Sequence, residues 1–271
     1  MVTKTEELYR KLLTLKVVRF DEIVDKARGI IEATPSRRYI YRKYVRRLVK
    51  AGKLWKVRRG LYVVLSPLEK PEGYTADKLL IASKVRDDYY LGFHTALEYY
   101  GCAQSLYNET YICVKAKDRF DTFQYGRFVF KPVFVENTDL EVLDKPYQEN
   151  TLKVSSKERT FIECIDRVEY AGGWEECLKS LENLRELDFQ NLVNLLLKNG
   201  KDILLKRAGY TLEFLKKHSP FYEHLESRLL DEITKQISGS PRYLVNGETG
   251  SINKRWNLYI PKNFEEKLRG I

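Results

Sequence analysis

Ten residues near the N-terminus have the types and spacing to read nucleic acid. Ser36, Arg37, Tyr39, Arg42, Lys43, Arg46, Arg47 and Lys50 lie between a helix-start signal at Thr34-Pro35 and a stop at Gly52. At about 100° per residue, Ser36, Tyr39, Arg42, Lys43, Arg46, Arg47 and Lys50 share one side of that helix. Tyr41, Tyr44, Val45, Leu48 and Val49 share the other, so the spacing predicts one long helix with a segregated basic face. Guanidinium groups fork onto guanine or phosphate oxygens, the small Ser36 lets a helix end approach closely, and Tyr39 reaches a base edge or a phosphate. Arg58 and Arg59 occupy the turn between two β-prone runs, where a hairpin tip touches the flanking backbone or the minor groove. The chemistry expected is recognition of double-stranded DNA.

The other chemistry-bearing residues point away from catalysis. Cys102, Cys113, Cys164 and Cys177 fit no C-x-x-C spacing and read as buried thiols in a reducing compartment. His218 and His224 stand six apart rather than the four that would place two ligands on one helix face. His94, after Gly92-Phe93, reads as a core or capping histidine. No glycine-rich phosphate cradle is present. The run Tyr111-Ile112-Cys113-Val114-Lys115 lacks the inner acidic residue that two-metal nuclease chemistry requires beside the lysine. No enzyme, cofactor or metal is expected, and nuclease activity ranks below a ligand-sensing repressor as the alternative to plain DNA binding. Such a repressor requires an apolar effector pocket in the larger domain. Glu158, Glu163, Asp166 and Glu169 alternate with Arg159 and Arg167, which leaves two readings open: pairing within the helix, or a surface for a partner protein or second subunit.

The elements that must position the basic residues are legible around them. Thr3 and Glu6 have capping-box spacing before a helix from Lys4 to Leu15. Phe20 to Ala27 forms a second helix with Asp21 as its cap, and a loop runs on through Gly29. After the third helix, Lys53 to Val57 and Leu61 to Leu65 are strands around Arg58-Arg59-Gly60. Three helices and a basic hairpin in this order make a winged helix-turn-helix over residues 1–66. The proline-bearing run 67–73 reads as a linker, and 74–271 as a larger mixed α/β domain with a helical second half. In that domain Thr110–Val114, Gly126–Val135 and Leu152–Val154 read as strands, Ser155-Ser156-Lys157-Glu158 as a capping box, and Trp256–Ile260 as a terminal strand. The fold class expected is α+β.

Charge supports the same division. Of the 271 residues, 48 are Lys or Arg and 38 Asp or Glu, a formal net charge of +10. Residues 1–65 alone carry 18 basic and 6 acidic side chains, while residues 66–238 carry 24 and 29. A surplus confined to one short segment is the footprint of a polyanion-binding module. The longest stretch without charge runs from Tyr99 to Asn108, too short to span a bilayer, and the N-terminus has no continuous apolar run. A cytoplasmic protein without membrane partners is expected.

Three blocks carry a family resemblance: Gly92-Phe93-His94-Thr95-Ala96-Leu97-Glu98-Tyr99-Tyr100-Gly101, the run from Ser156 to Gly173, and Asn253-Lys254-Arg255-Trp256-Asn257-Leu258. With the wing run Lys53 to Val63, the chain resembles AbiEi-type proteins, the antitoxin and transcriptional regulator halves of AbiE toxin-antitoxin systems associated with phage abortive infection. The resemblance implies binding to operator repeats near the protein's own promoter and restraint of a toxin resembling a nucleotidyltransferase; a homodimer is expected because repeated half-sites favour two copies held together.

Overall fold

The computed structural model describes residues 2–31, 35–69 and 76–269. It is a mixed α+β chain with a helical N-terminal region, a sheet-containing middle and a helical C-terminal half. Among the described residues, no helix is long and apolar enough to cross a membrane.

Helix α1, Lys4–Leu13, begins where Thr3 accepts a hydrogen bond from the Glu6 amide at 3.2 Å. A three-residue strand that sequence patterning does not reveal, β1 (Val17–Arg19), leads directly into α2, Phe20–Arg28. Asp21 lies inside that helix rather than capping it. The cap is built from Glu22, whose carboxylate accepts from the Arg19 amide at 2.7 Å. The third helix, α3 (37–50), is continuous but not uniform, because Tyr41–Val45 forms a π-helical turn between two α-helical pieces. Thr34, expected as its cap, lies outside the described residues; Ser36 caps it, accepting from the Tyr39 amide at 3.2 Å. The stop at Gly52 is as expected: this glycine takes φ +67°, and the Lys53 amide reaches back to the Leu48 carbonyl at 2.9 Å.

The π turn inserts extra backbone into the helix and rotates the residues after it relative to an ideal α-helix. Ile40, Tyr44, Val45 and Leu48 are buried. Tyr41 and Val49, expected on the inner side, are instead 44% and 39% exposed. Strands β2 (Leu54–Arg58) and β3 (Leu61–Val64) form the hairpin, and β1 pairs antiparallel with β3 to give the sheet order β1-β3-β2. Helix–strand–helix–helix–hairpin with this sheet order is the winged-helix arrangement. Its core is closed within residues 8–64, with Leu8, Leu12, Ile23, Val24, Ile40, Val45 and Leu54 nearly fully buried.

The backbone divides into two compact units that do not follow the boundary at 67–73. The first comprises 1–90, 108–138 and 144–153; the second comprises 91–107, 139–143 and 154–271. The first unit extends past the connection because side chains cross it. Lys84 pairs with Glu22 at 2.6 Å, Lys16 donates to Gln148 at 2.6 Å, Arg19 pairs with Asp87, and the Arg58 guanidinium lies 4.6 Å from the centre of the Phe123 ring. Within this unit, strands Glu109–Val114 and Phe128–Phe134 pair in parallel, and Phe123–Tyr125 adds antiparallel to the latter.

The second unit is held by a helical core in which Phe161, Cys164, Cys177, Leu181, Leu192, Leu212 and Leu215 are fully buried or nearly so. All four cysteines are buried and free. Helix Lys157–Asp166 is capped by Ser156, which accepts from the Arg159 amide at 3.1 Å, so the box expected at Ser155 and Glu158 does not form. Ser155 instead bonds Thr160 at 2.7 Å. His94 is 1% exposed and bridges helices: its Nε2 lies 3.1 Å from Glu176, its Nδ1 3.4 Å from Glu98, and its ring stacks on Tyr107 at 4.0 Å. A three-stranded C-terminal sheet is fastened by Trp256, whose Nε1 donates to Glu213 at 2.7 Å.

Trp256 fits only because helix Asp202–His218 carries Gly209 beneath it. A Cβ at 209 would lie 2.0 Å from the indole ring. Gly209→Ala is expected to destabilise the protein by about 1–3 kcal/mol through overpacking, lowering Tm by several degrees in a calorimetric scan. An unchanged Tm would contradict this packing.

Candidate nucleic-acid interface

Burial of one face of α3 leaves the opposite face to solvent. Ser36, Arg37, Tyr39, Arg42, Lys43, Arg46, Arg47 and Lys50 are all exposed, as expected, and Arg38, absent from the sequence-based set, is exposed beside them. They are not equivalent. Arg37 pairs with Asp21 and lies over the Phe20 ring at 5.1 Å, so its charge already has a partner within the protein. Lys43 donates to the Tyr39 hydroxyl at 2.6 Å, and that bond holds its pKa above the ordinary lysine value. The Tyr39 hydroxyl still has its own proton to offer an acceptor. Arg38, Arg42, Arg46, Arg47 and Lys50 have no carboxylate partner among the described residues.

This contrast decides what the face can do. Elsewhere in the winged-helix region several basic groups are neutralised by a nearby carboxylate: Lys11 by Glu7, Arg19 by Asp87, Arg28 by Asp25, and Lys53 by Glu6. Exposed pairs of this kind contribute little stability, but they remove charge from the surface. On α3 the charge is left uncompensated along a helix of 14 residues, about 20 Å long, which matches the reach of a recognition helix along a groove.

The wing differs from expectation in one residue. Arg59 is exposed at the turn, where Gly60 supplies φ +80° and the Phe20 amide bonds the Gly60 carbonyl at 2.8 Å. Arg58 is not at a free tip: it is only partly exposed and packed on Phe123, with its Nη1 buried and without a hydrogen-bond partner. Burial, together with the nearby charge of Arg86, pushes its pKa below the ordinary arginine value. Patterning within residues 53–65 gives no sign of this, because Phe123 lies more than sixty positions further along the chain.

Beside the wing opens a cavity of about 740 Å³, lined in the first unit by residues of β1, α2, α3, the wing and 84–86. Seven of its lining side chains are basic and one, Asp21, is acidic. Arg19, Lys56, Lys84 and Arg86 belong to it and were not singled out from sequence; the charge surplus of residues 1–65 signals the first two, and nothing in the pattern signals Lys84 or Arg86.

The acidic residues Glu158, Glu163, Asp166 and Glu169 do not form one exposed face. Glu158 is buried and accepts from the Asp188 amide at 2.8 Å, Glu163 binds Arg159 at 2.7 Å, and Asp166 pairs with Lys201 at 2.9 Å, leaving Glu169 as the exposed member. Pairing within the helix holds for Glu163 with Arg159 alone; Glu158 and Asp166 meet partners from other elements. Among the described residues, no group of three or more His, Cys, Asp or Glu side chains is placed to hold a metal ion.

The fold has a solved counterpart. The crystal structure of the RV2827C protein from Mycobacterium tuberculosis aligns with 98% of this chain and 92% of its own at a TM-score of 0.68 and 14% sequence identity, a likeness of fold alone. No family model matches the chain, and no curated protein does.

The two wing arginines are therefore expected to separate. Arg58→Ala removes a partly buried cation–π contact, for which about 0.5–2 kcal/mol of stability should be lost, while Arg59→Ala should leave stability unchanged. Urea denaturation of the two variants checks this, and equal midpoints would contradict it.

Proposed function

We propose that the protein is a DNA-binding transcriptional regulator whose N-terminal winged helix reads operator repeats, acting as the antitoxin of an AbiE-type toxin-antitoxin system in the cytoplasm. One observation carries the DNA-binding part: the exposed face of α3 concentrates five basic side chains, Arg38, Arg42, Arg46, Arg47 and Lys50, that have no carboxylate partner among the described residues. Five such charges on a helix with a capped N-terminus and a basic hairpin beside it fit a phosphate backbone and the base edges of a major groove. Ser36, Arg37, Tyr39, Arg42 and Lys43 then sit toward the base-reading end, and Arg46, Arg47 and Lys50 toward the backbone, with Arg59 on the flanking strand and Arg58 steadying the wing. The antitoxin role and the nucleotidyltransferase-like toxin rest on the resemblance to AbiEi-type proteins in the blocks around His94, Glu158–Gly173 and Trp256, and the dimer on the advantage that repeated half-sites give two copies held together.

Each phosphate contact neutralised contributes about −0.9 to the slope of log K against log salt. Arg46→Ala and Arg47→Ala should each flatten that slope by about one and weaken binding to all duplexes alike, in fluorescence-anisotropy titrations with DNA from upstream of the protein's own gene. Unchanged slopes and affinities in both variants would overturn the reading. Co-expression with the adjacent gene tests the antitoxin part separately: growth arrest by that gene, relieved by this chain, is expected.

A further inference from the structure

The cavity beside the wing is lined mostly by winged-helix residues, not by the larger domain in which a ligand-sensing repressor would need its apolar pocket. Its walls are basic, its one carboxylate, Asp21, is already bound to Arg37, and an aromatic ring, Tyr41, stands in it 44% exposed with its edge toward Phe20 at 6.0 Å. Proteins seldom leave cations facing one another in a concavity without an anion to meet them, because mutual repulsion in a partly desolvated space is not screened as it is on an open surface.

The lining cations divide by whether their donors are used. Arg86 is spent on backbone: its guanidinium donates to the carbonyls of Val85, Asp118 and Arg119 at 2.7–2.8 Å, which fixes it as a rigid positive wall. Lys84 and Arg19 are held by Glu22 and Asp87. Lys56 and Arg59 are exposed with no acceptor among the described residues, and Arg58 between them keeps Nη1 buried and unbonded. Lys56 and Arg59 of the hairpin thus offer unused donors in a cavity that the fixed Arg86 guanidinium and Tyr41 of α3 also line. The lowered pKa of Arg58 reports the same crowding, since Arg86 is one of its causes.

We infer that this cavity binds a nucleoside polyphosphate, its phosphates held by Lys56 and Arg59 against the Arg86 wall and its base stacked on Tyr41. The volume, about 740 Å³, falls within the roughly 300–1,000 Å³ of small-molecule sites. Phosphate oxygens match guanidinium forks and a lysine point charge, and stacking on an exposed aromatic ring accepts any base. A free nucleotide offers both halves at once. A duplex presents phosphates but keeps its bases stacked in the helix, out of reach of Tyr41. The inference rests on the cavity alone and is independent of whether α3 reads DNA.

The test is isothermal titration of the full-length protein, without DNA and at constant ionic strength, with ATP, inorganic triphosphate and adenosine as probes. Saturable one-to-one binding of ATP is expected, with adenosine at least about tenfold weaker for want of phosphates. Lys56→Ala with Arg59→Ala should weaken ATP and triphosphate by about tenfold or more, and Tyr41→Ala should weaken ATP by about tenfold while leaving triphosphate unchanged. These three side chains are exposed, so the variants should keep the parent melting temperature, which is measured alongside. Lys217→Ala, on an exposed lysine of the second unit, controls for general charge and should change nothing. Absence of saturable ATP binding would overturn the inference, as would ATP binding that the hairpin variants leave intact. Equal loss of ATP and triphosphate in Tyr41→Ala, or none in either, would overturn the assignment of the base to that ring.

Discussion

A helix that carries Arg42, Lys43, Arg46, Arg47 and Lys50 on one side repels itself. Like charges four apart on a helix cost about 0.2–0.5 kcal/mol each, and Arg42/Arg46, Lys43/Arg47 and Arg46/Lys50 stand at that spacing. The helix exists because its other side is bolted down: Ile40, Tyr44, Val45 and Leu48 are each 3% exposed or less, and burial of such side chains contributes about 1.5–3 kcal/mol apiece. Packing exceeds the repulsion by several kcal/mol, so the charge can be displayed without local counter-ions from the chain itself. The DNA reading proposed for α3 depends on that imbalance, since a polyanion is the partner that turns the standing repulsion into attraction.

The same logic explains why several other basic residues are quiet. Arg19, Lys53 and Lys84 are placed by tertiary structure next to carboxylates, and Arg86 is enclosed by carbonyls. A basic count over residues 1–65 cannot tell these from the free ones, because partners such as Asp87 lie across the connection at 67–73. The net charge of the segment is legible in the sequence; which of its charges are available is a property of the fold.

Other differences between sequence and structure have equally local causes. The third helix and its stop at Gly52 are written in a strong amphipathic period and a positive-φ residue. The π turn at Tyr41–Val45 is not, because no residue type demands it, and Tyr41 at its start is exposed rather than on the expected core side. Strand β1 is too short at three residues for alternation to show, and it is a strand only because β3 runs beside it. In the second unit the box expected at Ser155 and Glu158 slid by one residue: Ser156 took the cap, and Glu158 went to the Asp188 amide, a partner thirty residues away. The resemblance blocks around His94 and Trp256 coincide with tightly constrained packing, His94 between two glutamates and Trp256 over Gly209. They thus mark the scaffold, while the proposed DNA face lies in residues that the resemblance touches only at the wing.

Lysine reactivity tests the central claim most directly. The full-length protein is acetylated under limiting reagent with and without a saturating duplex from upstream of its gene, and each site is quantified by mass spectrometry. The account predicts that Lys43 and Lys50 on α3 are shielded by the duplex, while the exposed Lys198 and Lys217 of the second unit react at the same rate in both samples. Shielding of Lys198 and Lys217 with Lys43 and Lys50 unaffected would contradict it, and would move the nucleic-acid surface out of the winged helix.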